Sequence, residues 1–201
     1  MTDLILIRHG ETDWNTEGRW QGQADVPLNS TGWRQAQQMV QPLEAAGIAA
    51  IYSSDLQRAR QTAQVLADAY RLPLQVDIRL REIHQGEWQG LLFSEIQWRY
   101  TQAYQERLRD PLNFASPGGE AVAQVRARVL AATREIIRNH PEATVAVVSH
   151  GFSLAVLIAH LRGEPFDRLW DLIPGNGQWV VMKGILLDSP SDQHQAPGGR
   201  I

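Results

Sequence analysis

The 201-residue chain contains no cysteine. That excludes disulfides, thiolate metal sites, iron–sulfur clusters and a cysteine nucleophile, so any chemistry here is thiol-free. Lysine is nearly absent: of the 19 basic residues 18 are arginine, and Lys183 stands alone. A Walker-type lysine, a Schiff-base lysine and a kinase-type lysine therefore have essentially no place. Long hydrophobic runs are also missing. The chain opens Met1-Thr2-Asp3 before four apolar residues, far short of a secretory signal or a membrane span. The expected location is the cytoplasm, with no membrane partner. Neither sign of charge dominates: the formal net charge is −3, so nothing sequence-wide calls for a nucleic-acid partner.

What is present is ordinary for a folded, water-soluble body, with 43% hydrophobic and 20% charged residues. Leu4-Ile5-Leu6-Ile7 reads as a buried strand ended by Arg8-His9-Gly10. A helix opened by Thr31-Gly32 is expected to run to about Ala46, followed by a strand from Ala49 to Tyr52 and a helix capped by Ser53-Ser54-Asp55 running to about Tyr70. A strand over 74–78, a loop over 79–90, a helix over 93–108, a connecting loop over 110–119 and a long helix over 120–139 follow. Val145-Ala146-Val147-Val148 is the most strand-like run, and the apolar helix 152–161 comes after it. Two β-rich segments, 179–182 and 185–187, are separated by Lys183-Gly184. Alternation of this kind predicts an α/β fold of three layers, a mostly parallel central sheet with helices on both faces. One domain spans 1–201, with an insertion-like cap at about 80–118 and a poorly ordered tail from about 189 to 201. Oligomeric state leaves no mark on the sequence, which is compatible with a homodimer.

A small internal echo carries the functional signal: Leu-Ile-Leu-Ile-Arg-His-Gly at 4–10 and Val-Ala-Val-Val-Ser-His-Gly at 145–151. Each places a histidine at the carboxyl end of an apolar strand, the edge at which open parallel sheets bind ligands. His9 and His150 are thus expected to face one crevice. Arg8 precedes His9, and Arg58 falls in the first turns of the helix after the Tyr52 strand. Two arginines, two histidines and a helix N-terminus suit a dianionic phosphoryl group. No P-loop, no cysteine, no Asp-x-Asp pair after a strand and no His-x-His or His-Glu-x-x-His metal spacing is available. Histidine itself remains as a nucleophile.

The order of motifs is informative. Arg8-His9-Gly10-Glu11-Thr12 is followed by Trp14-Asn15, Arg19, Gln21-Gly22 and Leu28-Asn29-Ser30-Thr31-Gly32. Ser53-Ser54-Asp55-Leu56-Gln57-Arg58-Ala59, Gln61-Thr62-Ala63 and Leu80-Arg81-Glu82 come next. Gly86, Trp88, Gly90, Pro117-Gly118-Gly119-Glu120 and Val148-Ser149-His150-Gly151 complete the series. Over roughly 2–185 the chain resembles the histidine phosphatase superfamily, phosphoglycerate mutase-like, on its phosphatase side. The resemblance implies the phosphoglycerate mutase-like fold and a phosphohistidine intermediate on His9. It implies that Arg8, Arg58 and His150 hold the transferred phosphoryl oxygens and that Glu82 is the proton donor. Asn15, Gln21 and Gly22 match positions that contact phosphate or substrate, and Gly151 joins them beside His150. The substrate implied is a small phosphate ester, and the reaction needs no metal and no organic cofactor.

These roles are physically coherent. A nucleophilic imidazole must be neutral, and flanking arginines oppose its protonation. Its other ring nitrogen should donate to a fixed acceptor such as a backbone carbonyl. The arginines, and His150 where cationic, would offset charge on the equatorial oxygens. Glu82 must arrive protonated to assist an alkoxide and then accept a proton from water. His84, Glu87, Trp20 and Trp88 are weaker candidates for substrate contact.

Alternatives within and outside the superfamily make different demands. Cofactor-dependent phosphoglycerate mutases carry Glu-Arg-His-Tyr-Gly around the acid. The corresponding Glu82-Ile83-His84-Gln85-Gly86 lacks the arginine and the tyrosine, and Gly86-x-Trp88-x-Gly90 is phosphatase-like. Among substrates, phosphoserine, phosphoglycerates, α-ribazole phosphate and sugar phosphates stay open. Similar phosphoserine enzymes place a histidine where this chain has Gln85. Gly151-Phe152-Ser153-Leu154-Ala155 nearly makes a serine-hydrolase elbow but leaves His9, Arg8 and Arg58 unexplained. A catalytically inactive phosphate-binding domain would not need Glu82.

Overall fold

A computed structural model of the chain describes residues 1–186. The expected tail, and Leu187 of the last β-rich segment, lie outside the described residues. Five strands, β1 (Thr2–Arg8), β2 (Ile48–Ser53), β3 (Leu74–Val76), β4 (Thr144–Ser149) and β5 (Trp179–Ile185), form one sheet in the order β3-β2-β4-β1-β5. The first four are mutually parallel and β5 runs antiparallel along β1. The helices are α1 (Asp13–Thr16), α2 (Ser30–Gln38), α3 (Val40–Glu44), α4 (Gln57–Tyr70), α5 (Phe93–Arg99), α6 (Thr101–Arg109), α7 (Val122–Asn139) and α8 (Gly151–Arg162).

Alternation along the strands divides the core into two. Ile5, Ile7, Ile51, Ala146 and Val148 bury against Ala36, Met39, Leu43, Ala63 and Leu66 of the α2–α3–α4 side. Leu4, Leu6, Tyr52, Val145 and Val147 bury against Val125, Val129, Ile136 and the apolar face of α8 on the other. Burial on both faces is why β1 and β4 read as unbroken apolar runs. The three-layer α/β/α expectation is met.

Several boundaries differ, each for a local reason. Asn29 caps α2 by accepting from the Gly32 N–H at 2.8 Å, so the helix opens at Ser30. Pro42 has no N–H to offer the Gln38 carbonyl, and the expected single helix divides at Met39 into α2 and α3. The helix expected over 93–108 divides at Tyr100 (φ −123°, ψ 39°), whose hydroxyl donates to Glu87. The two β-rich segments near the end are one strand. Lys183 and Gly184 bulge opposite Asp3, with Gly184 at φ 62° and both its N–H and Lys183 Nζ donating to the Asp3 carboxylate.

Candidate active site

Register explains why the two histidines meet. β1 and β4 are neighbours with Arg8 opposite Ser149, so the next residues, His9 and His150, leave the same sheet edge. The His9 N–H donates to the Ser149 carbonyl at 3.0 Å, and the two ring centroids lie 5.2 Å apart. β2 flanks β4 on its other side and feeds α4, whose first turn delivers Arg58 to that edge.

A cleft of about 180 Å³ opens here. Of the expected site residues, Arg8, His9, Asn15, Gln21, Gly22, Arg58, Glu82 and Gly151 line it. His150 does not line it; the residue is completely buried against His9. Arg19, Trp20, Ile83, Gln85, Phe152, Trp170 and Ile173 complete the walls. Trp20 is thus placed as expected. Trp88 does not line the cleft: it is fully buried, packed on Trp20, Tyr100 and Phe114. His84 and Glu87 are likewise engaged within the protein, His84 Nδ1 accepting from the Gly86 N–H and Glu87 accepting from Tyr100.

His9 is 3% exposed, and its Nδ1 lies 2.6 Å from the Gly10 carbonyl. A carbonyl can only accept, so Nδ1 carries the proton and Nε2 keeps its lone pair. Burial first, then the Arg58 and Arg8 charges, push the His9 pKa well down against the opposing pull of Gly10. The imidazole is neutral at neutral pH. His150 is pushed well down too, by burial and then by Arg58, His9, Arg128 and Arg8. It is therefore a neutral ring in the free protein rather than the cation that sequence reasoning allowed.

Both arginines are anchored by one end. Arg8 Nη1 donates to Pro174 O at 2.8 Å, while Arg58 Nη1 and Nη2 donate to Ala24 O and Gly22 O at 2.6 and 2.7 Å. Burial lowers the Arg58 pKa to about 10, with Glu82 and Asp25 opposing, so the guanidinium stays charged at neutral pH. Among the described residues, Arg8 Nε, Arg58 Nε and both ring nitrogens of His150 are buried without a hydrogen-bond partner. The two guanidinium Nε–H groups and the one N–H of neutral His150 are donors, and an unmet buried donor is costly unless an acceptor meets it. Gly151 permits this crowding, because a Cβ there would sit 3.3 Å from Arg8 Nε and 2.9 Å from Ile173 Cγ2.

Glu82 is held at the opposite side by the start of α8. Its Oε1 accepts from the Ile83 and Ser153 N–H groups at 2.9 and 3.0 Å, and Oε2 accepts from the Phe152 N–H at 3.0 Å. Ser153, the residue of the near-elbow motif, is buried and donates its hydroxyl to Arg81 O at 2.7 Å. It supports the Glu82 loop and, among the described residues, has no imidazole partner. Asn15 Oδ1 caps α1 through Thr12 and accepts from Asn176 Nδ2, which also donates to the His9 carbonyl.

Sequence reasoning missed the clamp on the Glu82 loop. Arg128 donates to Arg79 O and Glu82 O, both at 2.9 Å, and pairs with Glu120 at 2.9 Å, while Glu120 also accepts from the His84 N–H. Glu120 stands in the Pro-Gly-Gly-Glu motif and could have been suspected; Arg128, a mid-helix arginine, carries no local signal. Asn176, between Gly175 and Gly177, reads only as a turn.

Residues 4–184 match the family model described as histidine phosphatase superfamily (branch 1). The chain belongs to that superfamily. It is 34% identical over 182 residues to phosphoserine phosphatase 1 of Hydrogenobacter thermophilus, covering 90% of this chain and 86% of that one. A Proteus mirabilis protein named "Probable phosphoglycerate mutase" is 36% identical over 166 residues, covering 82% and 77%. The mycobacterial glucosyl-3-phosphoglycerate phosphatase, solved with VO3, superposes with a TM-score of 0.83 at 34% identity, covering 92% of each chain. Among the described residues of this superfamily member, no helix is long and apolar enough to cross a membrane.

Proposed function

We propose that this protein is a metal-independent phosphomonoesterase acting on a small phosphorylated metabolite through a phosphohistidine on His9. The observation that carries this reading is the neutral His9, with Nδ1–H tied to Gly10 O, among the unmet donors of Arg8, Arg58 and His150. In the first step His9 Nε2 attacks phosphorus, the ester P–O bond breaks, and protonated Glu82 gives its proton to the leaving alkoxide. In the second, water attacks phosphorus, the P–N bond breaks with its electron pair returning to Nε2, Glu82 takes the water's proton, inorganic phosphate leaves and His9 returns neutral. Arg8, Arg58 and His150 stabilise the equatorial oxygens as charge develops. Asn15, Gln21, Gly22 and Gly151 shape the phosphate end of the cleft.

A cleft of about 180 Å³ is below the ~300–1,000 Å³ usual for drug-sized ligands. That supports a substrate of a few carbons, such as phosphoserine or a phosphoglycerate, over a larger one such as α-ribazole phosphate. We place the enzyme in the cytoplasm, as one domain in which 80–118 forms the cap. Inorganic phosphate release from an aryl phosphate should be unchanged by EDTA and lost in His9→Ala. Release that survives His9→Ala overturns the mechanism, and conversion of 3-phosphoglycerate mainly to 2-phosphoglycerate makes the protein a mutase.

A further inference from the structure

Asn176 reaches residues of the cleft without lining it. It stands in the turn before β5, and that turn straps the end of β1. Arg8 Nη1 donates to Pro174 O at 2.8 Å, the Arg8 N–H to Gln178 O at 3.0 Å and the Gly177 N–H to His9 O at 3.1 Å. Asn176 Nδ2 lies 3.2 Å from His9 O, 3.2 Å from Asn15 Oδ1 and 3.5 Å from Gly10 O. Backbone carbonyls can only accept, so the end of the Asn176 amide that faces them is its NH2.

Hydrogen-bond chemistry fixes the Asn15 amide as well. The Asn15 atom that meets Asn176 also lies 3.1 Å from the Thr12 N and 3.0 Å from Thr12 Oγ1. A backbone N–H and an amide NH2 can only donate, so that atom is Oδ1. Turned over, the amide would set its own NH2 against both donors. Thr12 Oγ1 would tolerate either end, because a hydroxyl donates or accepts. The groups that hold the orientation are therefore the Thr12 N–H and Asn176 Nδ2, and the second comes from 161 positions along the chain. With Oδ1 so engaged, Asn15 Nδ2 has no acceptor among the described residues, and Asn15 lines the cleft together with Arg8, His9 and Arg58.

We propose that Asn176 is a positioning residue that locks the Asn15 amide with its NH2 end offered to the phosphoryl oxygens, an inference that rests on the phosphomonoesterase reading above. The lock is set before substrate arrives. An incoming phosphoryl oxygen then meets a donor instead of the lone pairs of Oδ1, which would repel it. Without Asn176 the Thr12 N–H alone opposes the reversed amide, and every reversed Asn15 presents an acceptor to an anion. Asn176 itself touches no substrate atom and acts through Asn15.

The test is a double-mutant cycle on the calorimetric binding of vanadate, an oxyanion that takes the place of the transferred phosphoryl group, to the wild type, Asn15→Ala, Asn176→Ala and the double variant. Asn15→Ala should weaken vanadate by about tenfold to a hundredfold, the range for a hydrogen bond to a charged partner. Asn176→Ala should weaken it by about threefold to tenfold, the inverse of the fraction of Asn15 amides still facing the right way. Where Asn15 is already alanine, Asn176→Ala should cost nothing further. A purely structural role would cost the same factor in both backgrounds, which overturns the proposal. The wild-type protein gives a second reading that needs no folded variant: in the isotope-labelled chain the nuclear magnetic resonance signal of the Asn15 side-chain NH2 should move on saturation with inorganic phosphate. An Asn15 signal that stays in place overturns the role of Asn176 and leaves hydrolysis intact; phosphate release surviving in His9→Ala overturns the phosphatase reading and leaves the binding cycle standing.

Discussion

His9 and His150 leave adjacent parallel strands in matched register, their ring centroids 5.2 Å apart and both rings held neutral by burial beside two arginines. His9 presents a lone pair, while His150, completely buried, has no protein partner among the described residues. A neutral His9 and unmet donors are thereby assembled before any ligand arrives. Pre-organisation of this kind leaves measurable traces.

The first is in stability against pH. The folded-state pKa values of His9 and His150 are depressed, so below the unfolded value near 6.5 the unfolded chain binds protons that the folded protein does not. Stability is full above about pH 6.5 and is lost as the pH falls, by up to about 1.4 kcal/mol per pH unit for each histidine. Asp55, held low by Arg81, acts only in the lower carboxylate range. Thermal melts from about pH 7.5 to about pH 5 should fall less steeply for His150→Asn than for the wild type. Parallel slopes would show that His150 titrates normally.

Replacing the acid and base should separate the two chemical steps. Glu82→Gln keeps the shape but can accept at only one of the two oxygen positions, so it gives up either the Phe152 or the Ser153 N–H contact, and it cannot move a proton. Hydrolysis of an alkyl phosphate should drop by about 10²–10⁴-fold. The phosphorylation step with an aryl phosphate, whose leaving group needs no proton, should suffer far less. An acid-labile phosphoenzyme should then accumulate and be visible by intact mass after rapid quenching; an equal loss with both esters and no phosphoenzyme would remove Glu82 from the mechanism.

Arg128 acts on Glu82 only through the backbone. Arg128→Met removes the donors to Arg79 O and Glu82 O and leaves Glu120 without its ion pair. Both partners are partly exposed, at 17% and 20% of their side-chain surface, so the stability loss in urea should be about 1–3 kcal/mol. With the Glu82 loop released, kcat should fall by about tenfold, a cost of orientation rather than of lost binding. KM for an aryl phosphate should change less, and a fall in KM-limited activity alone would contradict the positioning role.

Two glycines hold the His9 segment against α2. A Cβ on Gly32 would stand 2.1 Å from the Glu11 carbonyl oxygen, and one on Gly10 would stand 2.5 Å from the Gly32 carbonyl oxygen. These are backbone contacts that no rotamer change relieves. Gly32→Ala should destabilise by at least the ~1–3 kcal/mol of core overpacking and lower kcat/KM for every ester alike, since it displaces His9 through Gly10. A melting temperature equal to the wild type would show that the segment yields freely.

The sheet was legible in the residues because strands buried on both faces leave unbroken apolar runs, as at Leu4–Ile7 and Val145–Val148. His9, Arg8, Arg58 and Glu82 were legible because each sits in a local motif whose neighbours along the chain mark it. The bulge at Gly184 was not, since it exists only opposite Asp3, and the burial of Trp88 depends on Tyr100 and Phe114. Arg128 reaches carbonyls 46 and 49 positions away in the chain, and Arg107 meets tryptophans from two other segments. Motif order and hydrophobic period thus carried the fold and the candidate site residues of this histidine phosphatase superfamily chain. Charge state, the His9 tautomer and the walls of the cleft arise from burial and contacts between distant segments, which come into being only when the chain is folded.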